Sequence, residues 1–228
     1  MRGAAQLTLN PLGVNLNRGM MRVIVFGGSG KTGQEIVRTA SMRGAQVTVF
    51  SRTAADNSLE SNVNVIRGNV ADLDAVTAAV AGHDAVISAL GVSKPLAHDP
   101  DVVLGVGHIV RAMEKHNVRR LIYLSFIGVR ESRNSVGFIL RYVAPIPLRH
   151  EIADHEAKEA IIRTSALDWT IVRPPKLTSG KSSEAYRVGL DISTRKPIPM
   201  MSRKDVANFI AQELYEPQYI HAAPRLLH

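Results

Sequence analysis

Three glycines spaced three residues apart, Gly27, Gly30 and Gly33, separate an apolar run from an amphipathic segment in VIVFGGSGKTGQEIV. Between a strand and a helix, the first glycine permits a tight turn and the second lets the backbone approach a pyrophosphate. The third lets the helix pack closely on the strand. The helix, which opens at Lys31, offers free N–H groups and a positive dipole end to phosphates. The loop therefore predicts a dinucleotide site, with an ordinary glycine-rich turn as the alternative.

The same loop contains GSGKT, which is similar to the end of the phosphate-binding loop of nucleoside triphosphatases. That loop requires the spacing Gly-x-x-x-x-Gly-Lys-Ser/Thr. If Gly30 were its second glycine, the first would fall at position 25, which is occupied by Val25. The sequence therefore excludes the triphosphatase and kinase interpretation.

The second predicted strand ends in Phe50-Ser51-Arg52, and the next carboxylate along the chain is Asp56. Proteins that prefer NAD place an acidic residue here, where it binds the ribose 2′-hydroxyl. Ser51 and Arg52 can instead donate hydrogen bonds to a 2′-phosphate, the arginine through two N–H groups. We therefore expect NADP(H) as the cofactor, with a solvated Arg52 as the alternative.

Short β-branched runs alternate with amphipathic segments from residue 22 onward. The predicted strands are 23–26, 47–50, 63–66, 85–90, 121–126 and 169–172. The predicted helices follow the glycine loop and then cover about 71–81, 101–117 and 151–165. This alternation predicts βαβ units joined by right-handed crossovers. The expected fold is α/β, a single Rossmann-type doubly wound parallel sheet with helices on both faces.

We expect one NAD(P)-binding domain over 21–228. Residues 1–20 have no acidic residue and no clear periodicity, so they are expected to be a flexible leader or a misassigned start. Two proline-containing stretches, about 127–150 and 174–200, interrupt the alternation after strands. Because open α/β sheets bind ligands at the carboxyl ends of their strands, we interpret both as substrate-side loops. Ordinary irregular connections are the alternative.

Composition narrows the possible chemistry. The chain has no cysteine, which excludes disulfides, thiolate metal sites and a cysteine nucleophile, and which fits a cytoplasmic location. No apolar run approaches the ~18 residues of a membrane span. His98, His108 and His116 lack the spacing of a metal site, so none is expected. The net charge of +8 includes arginine clusters within 111–149, but without stacking aromatics they do not favour nucleic-acid binding.

Several segments occur in a characteristic order: FGGSGKTG, VTVFSR, IRGNVADLDAV, GHDAVISALG, NVRRLIYLS, LDWTIVRPPKLTSG and MSRKDVANFI. Over about residues 21–215 the chain resembles the atypical short-chain dehydrogenases/reductases. The similar group is the NAD(P)H-binding, NmrA-like set that includes flavin reductase/biliverdin reductase B. The resemblance implies a Rossmann fold with a cofactor lying across the strand ends.

The resemblance also implies roles for individual residues. The pyrophosphate would lie against Gly27, Gly30, Lys31, Thr32 and Gly33, and the adenosine phosphate against Ser51 and Arg52. The adenine would lie near Asn69 and Val70, and the ribose side near Leu90 and Gly91. The nicotinamide end would be enclosed by Ser125, Pro174, Pro175 and Leu177.

Two departures from the family pattern affect the chemistry. Catalytic short-chain dehydrogenases use Tyr-x-x-x-Lys, in which the lysine lowers the tyrosine pKa for proton transfer. None of the five tyrosines here is followed by a lysine four residues later, which disfavours alcohol dehydrogenase, epimerase and dehydratase functions. In addition, the fifth strand often ends in two small hydroxyl residues, whereas Phe126 follows Ser125 here.

Hydride transfer to a conjugated acceptor can proceed without that pair, because the nicotinamide carries the difficult chemistry. Our candidate catalytic residues are Ser125, His155 and Lys158. His155 and Lys158 are three apart on one predicted helix and can share a face. The same spacing places His155 beside Glu159 and Asp154 beside Lys158, so exposed surface ion pairs are the alternative.

These observations favour an NADPH-preferring oxidoreductase that transfers hydride to a small-molecule acceptor, such as a flavin, a quinone or a similar conjugated compound. The first alternative is a non-catalytic NADP(H)-binding redox sensor, which the missing Tyr–Lys pair and Phe126 would suit. The second is a sugar-nucleotide epimerase or dehydratase. The sequence predicts no oligomeric state.

Overall fold

The structure, a computed structural model, describes residues 20–53, 63–91, 98–137, 141–142, 145–183 and 185–228. Apart from Met20, the predicted leader lies outside the described residues, as does Asp56. Among the helices of the described residues, none is long and apolar enough to cross a membrane.

A six-stranded sheet forms the centre of the fold. Its strands are β1 (Arg22–Phe26), β2 (Gln46–Ser51), β3 (Asn64–Arg67), β4 (Ala85–Ser88), β5 (Arg120–Leu124) and β6 (Asp168–Val172). All neighbouring pairs are parallel, and the strand order is β3-β2-β1-β4-β5-β6. The order reverses direction between β1 and β4, the position at which doubly wound sheets open a crevice for a ligand. The predicted Rossmann-type sheet is confirmed.

Helices cover both faces of this sheet. They are α1 (Lys31–Met42), α2 (Leu73–Val80), α3 (Pro100–Lys115), α4 (Arg149–Arg163) and α5 (Arg203–Tyr215). On one face α1 packs against α5, and on the other α2, α3 and α4 lie side by side. Each layer has its own apolar cluster, with Ile36 and Phe209 in one and Ile109 in the other. Apart from the edge strand β3, which is partly exposed, the strands of this sheet are largely buried, which explains their nearly uninterrupted apolar runs.

The two predicted loop stretches are partly ordered into short elements. A 3₁₀ helix spans Arg130–Ser135, and α4 begins at Arg149, inside the first stretch. Four further strands are present: β7 (Lys176–Thr178), β8 (Arg187–Gly189), β9 (Met200–Ser202) and β10 (Arg225–Leu227). β7 pairs with β9 and β8 with β10. The sequence did not predict these strands, because three residues are too few to show a clear alternation of apolar and polar side chains. In addition, each strand pairs with a partner more than twenty residues away along the chain.

The starts of the helices differ in how they are capped. Asp72, Asp99 and Ser202 accept hydrogen bonds from the first-turn N–H groups of α2, α3 and α5. The helix α1 instead starts after Gly30, which has no side chain to serve as a cap. Its first turn thus keeps N–H groups available for an external anion.

Candidate functional site

A cavity of about 830 Å³ runs along the carboxyl ends of β1, β2, β4, β5 and β6. All of the candidate cofactor-binding and catalytic residues predicted from the sequence line this cavity, except Lys158. The lining includes Gly27, Gly30, Lys31, Thr32, Gly33, Ser51, Arg52, Asn69, Val70, Leu90, Gly91, Ser125, His155, Pro174, Pro175 and Leu177. The fold therefore brings residues from the glycine loop and from both irregular stretches into one continuous site.

The glycine loop has the geometry of a phosphate cradle. A methyl group at Gly33 would lie 2.1 Å from the carbonyl oxygen of Gly27, so only glycine lets α1 pack this closely. Gly27 has φ +79°, and a Cβ there would be 2.6 Å from the Ala89 oxygen. Gly30 is less enclosed, since its nearest neighbour would be the Gly27 oxygen at 3.4 Å. The uncapped first turn of α1 and the exposed Lys31 border this space, which fits a pyrophosphate.

The end of β2 carries a cluster of hydroxyl groups. Ser51 Oγ lies 3.4 Å from Ser29 Oγ and 3.5 Å from Thr53 Oγ1, and Arg52 is exposed beside them. Sequence reasoning missed Ser29 and Thr53, although both are adjacent to residues that it selected. Three hydroxyls and one guanidinium form a donor set that suits a phosphate. The carboxylates among the described lining residues come from α3 and α4 instead.

The predicted adenine side is held by packing. Asn69 lines the cavity and is exposed, and its Oδ1 accepts a hydrogen bond from the Ala71 N–H at 3.1 Å. A Cβ at Gly105 of α3 would lie 2.7 Å from the Val70 side chain. The Val70 carbonyl oxygen is bonded to His108 Nδ1 at 2.9 Å. His108 is thus a buried structural residue.

At the other end of the cavity, β5 and α4 bring polar side chains together. His155 Nδ1 lies 2.9 Å from Tyr123 Oη and 3.4 Å from Ser125 Oγ. Ser125 Oγ donates a 2.7 Å hydrogen bond to Glu159 Oε1. The Phe126 ring meets the His155 ring edge-on, with centroids 4.9 Å apart.

The surface alternative for α4 is wrong. Asp154, His155, Lys158 and Glu159 are all buried, the last two with no exposed area. Because α4 packs against α3 and β6, the shared helical face points into the protein. The sequence signals for Tyr123 and Glu159 were present, since Tyr123 shares a strand face with Ser125 and Glu159 a helix face with His155.

Glu159 belongs to a buried ion pair with Arg173, which follows β6. Arg173 donates from Nη2 to Glu159 Oε2 at 2.6 Å and from Nε to Oε1 at 3.1 Å. It also donates to Glu131 at 2.7 Å. Burial alone would raise the pKa of Glu131, but Arg173 and Arg163 outweigh it and lower that pKa to about 2. The two acidic side chains hold the Arg173 guanidinium and raise its pKa against the opposing effect of burial.

Burial governs the ionisable groups nearest the cavity. It lowers the pKa of His155 well below its usual value, and the positive charge of Lys158 acts in the same direction. It raises the pKa of Tyr123 well above 10, helped by the carboxylates of Glu159 and Asp154. His155 is therefore a neutral imidazole and Tyr123 a protonated phenol at neutral pH.

Lys158 lies beyond His155, outside the described lining of the cavity. Its Nζ is enclosed and has no hydrogen-bond partner among the described residues. Burial lowers its pKa to about 8, although the carboxylates of Asp154, Glu151 and Asp99 oppose that shift. Asp154 is itself buried, where it contacts His98 Nδ1 and accepts a 2.9 Å hydrogen bond from the Asp99 N–H.

Several further residues that line the cavity are apolar, and together with His155 we call them the chamber. They are Phe126, Ile127, Pro145, Leu148, Ile152, Ile198 and Pro199, and the lining also includes Glu151. These residues come from the two stretches interpreted as substrate-side loops and from the start of α4. Apolar walls of this kind can pack against the apolar faces of a small molecule.

Several arginines of the clusters within 111–149 have polar partners in the structure. Arg119 forms a bidentate contact with Asp168, and Arg120 bonds Thr170 and Glu213. Arg133 lies 3.5 Å from Glu156. Trp169 of β6 is 5% exposed, and the Arg163 guanidinium lies over its ring.

Comparison with known proteins finds similar enzymes. A 2-alkyl-3-oxoalkanoate reductase of Stenotrophomonas maltophilia (strain K279a) is 37% identical over 224 residues, covering 86% of this chain and 67% of the relative. The chain spans only 38% of a dTDP-glucose 4,6-dehydratase of Streptomyces niveus, to which it is 31% identical over 127 residues.

Solved structures share the fold. ChuY, an anaerobillin reductase from Escherichia coli O157:H7, superposes with a TM-score of 0.77 at 21% identity, covering 91% of this chain and 97% of the other. A short-chain dehydrogenase/reductase from Veillonella parvula DSM 2008, solved in complex with NADP, has a TM-score of 0.76 at 17% identity, covering 91% and 94%. The family model described as NAD(P)H-binding matches residues 27–217, so this chain belongs to the NAD(P)H-binding family.

Proposed function

We propose that this protein is an NADPH-preferring reductase that transfers hydride to a conjugated small-molecule acceptor such as a quinone or a flavin. Membership of the family and the similarity to a reductase support an NAD(P)H-dependent oxidoreductase. The observation that carries the proposal is the continuity of one cavity. It joins the phosphate cradle at Gly30 to the apolar chamber around His155 and Phe126.

The preference for NADPH rests on the end of β2. Arg52 and the hydroxyls of Ser29, Ser51 and Thr53 offer donors where an NAD site would place a carboxylate. A 2′-phosphate would accept these hydrogen bonds, whereas a 2′-hydroxyl would leave the guanidinium without a partner. NADPH is thus the form that this donor set recognises.

When bound, the cofactor would supply a hydride to the acceptor in the chamber beyond Ser125. Apolar lining residues such as Phe126 and Ile198 would pack against the acceptor and exclude water. Among our three candidates, His155 is the one with a ring nitrogen that can reach an acceptor. Ser125 is engaged with Glu159, and Lys158 lies behind the wall.

An epimerase or dehydratase is less well supported. The Tyr-x-x-x-Lys spacing with Lys158 as its lysine would need a tyrosine at position 154, which is Asp154. Asp154 is buried and accepts a hydrogen bond from the backbone N–H of Asp99, the residue before α3. The helix α4, Arg149–Arg163, contains no tyrosine that could take this role.

The proposal is tested by fluorescence titration with NADPH and NADH, followed by an acceptor panel of quinones, flavins and biliverdin. We expect tighter binding of NADPH and acceptor-dependent oxidation of NADPH. Tight binding without turnover on any acceptor would overturn the reductase proposal and favour the redox sensor. Equal affinity for both cofactors would overturn the NADPH preference alone.

A further inference from the structure

The hydrogen bonds around His155 favour one tautomer of its neutral imidazole ring. Arg173 donates two hydrogen bonds to Glu159, as it would to an ionised carboxylate. Ser125 directs its hydroxyl proton to that carboxylate at 2.7 Å. Ser125 therefore has no second proton for the Nδ1 atom of His155, which lies 3.4 Å away.

Tyr123 supplies the proton for that nitrogen. Its side chain is fully buried, and the partner that the described residues offer its hydroxyl is His155 Nδ1 at 2.9 Å. If Nδ1 carried a hydrogen, the phenol proton would be left without an acceptor among the described residues, which is costly for a buried hydroxyl. The O–H of Tyr123 therefore donates to Nδ1, and the hydrogen of the neutral imidazole lies on Nε2.

The second ring nitrogen is available to a ligand. His155 lines the cavity and keeps 5% of its surface exposed. Its Nε2 is not among the enclosed polar atoms without a partner, unlike the Nζ of Lys158. The imidazole thus binds the interior through Nδ1 and presents Nε2–H to the chamber.

We propose that Tyr123 is a positioning residue that holds His155 as its Nε2–H tautomer, and that this N–H selects acceptors that gather negative charge on an oxygen. Quinones and conjugated ketones are the substrate class that fits. When hydride adds to such an acceptor, the electron pair of its C=O bond moves to the oxygen. That oxygen accepts the hydrogen bond from Nε2 and then takes a proton from water. This inference rests on the proposed reductase function.

The tautomer can be measured without turnover. In protein labelled with ¹⁵N at histidine, the ring nitrogens of His155 are assigned by their absence from the His155→Gln variant. We expect a protonated Nε2 and an unprotonated Nδ1 in the wild type. In Tyr123→Phe we expect mainly a protonated Nδ1, because the described neighbour that remains at this nitrogen is Ser125 Oγ, which gives its own proton to Glu159 and can only accept. A protonated Nδ1 in the wild type would overturn the assignment.

Kinetics tests the selection of acceptors. Losing one aligned hydrogen bond is expected to lower kcat for a quinone about ten-fold in Tyr123→Phe, with less effect on KM. The rate above background with an N-methylphenazinium dye should change little, because that cation takes hydride without placing charge on oxygen. Tyr186→Phe, a half-buried tyrosine of the opposite layer, serves as the matched control.

A double variant separates tautomer control from a structural role. The glutamine of His155→Gln keeps an N–H donor that has no tautomers. Adding Tyr123→Phe to His155→Gln should therefore cost little further quinone activity. Equal losses with both acceptors, or additive losses in the double variant, would overturn the positioning role. A wild type that reduces no acceptor would overturn the proposed function and the selection of acceptors, while the ¹⁵N spectrum still decides the tautomer.

Discussion

Arg173 Nη2 lies 2.6 Å from Glu159 Oε2, and neither side chain has any exposed area. This contact joins the end of β6, where one substrate-side loop begins, to the middle of α4, which holds His155. It also keeps Glu159 in place to accept the hydroxyl proton of Ser125. The ion pair therefore links the stability of the fold to the order of the chamber.

Arg173→Met should lower the free energy of unfolding by about 3 kcal/mol, because Glu159 would stay buried without its main partner. We expect the lower part of the usual range, since Arg130 and Arg163 remain 3.8 and 3.9 Å from Glu159. Urea denaturation measures the loss. Arg133→Met is the control, because its 3.5 Å contact with Glu156 is partly exposed to solvent and is expected to contribute less than about 1 kcal/mol. Similar losses in both variants would contradict the prediction.

Arg52→Glu should raise the Kd for NADPH at least about ten-fold and change the Kd for NADH by less than about three-fold, because the new carboxylate would repel only the 2′-phosphate. Titration of cofactor fluorescence measures both constants. Arg111→Glu makes the same change of charge at an exposed position on α3, outside the cavity. If it weakened NADPH binding as much, general electrostatics rather than a specific contact would be responsible.

Gly33→Ala should abolish cofactor binding and destabilise the protein, since the new methyl group would lie 2.1 Å from the Gly27 oxygen. Gly107→Ala changes another helical glycine, at which an added Cβ meets nothing within 4 Å. That variant should gain roughly 0.5–1 kcal/mol of stability, because alanine loses less backbone entropy than glycine in a helix. Thermal unfolding and NADPH titration of the two variants check the contrast, and cofactor binding by Gly33→Ala would rule it out.

Lys158→Met should change how stability depends on pH. The pKa of Lys158 is about 8 in the folded protein and is expected near 10.4 in the unfolded chain. Between these values the unfolded state binds more protons, so this lysine makes the wild type more stable as the pH rises. The wild type should therefore gain roughly 1–3 kcal/mol over the variant between pH 8 and 10.5. A constant difference in chemical denaturation across that range would show that Lys158 is not desolvated.

The sequence was sufficient for the features that depend on neighbouring residues. The alternation of apolar runs and amphipathic segments predicted the six parallel strands, because burial on both faces imposes that pattern locally. The spacing of Gly27, Gly30 and Gly33 predicted the turn before α1, because the close approach of Gly33 to the Gly27 oxygen lies within seven residues. Ser51 and Arg52 could be placed at the cavity because they lie at the carboxyl end of a strand, and open parallel sheets bind ligands at that edge.

Only the tertiary structure showed which faces of the helices and strands are in contact. Strand alternation puts Tyr123 and Ser125 on one face, and helical spacing puts His155 and Glu159 on another, but neither pattern says that the two faces meet. The exposed interpretation of α4 was wrong for this reason: its polar stripe has the local pattern of a solvated face, and only the packing of α4 against the sheet and α3 buries it. The glycine loop could be predicted because it consists of consecutive residues. The environment of His155 could not, because Tyr123 and Ser125 lie 32 and 30 positions away along the chain and contact it only after folding.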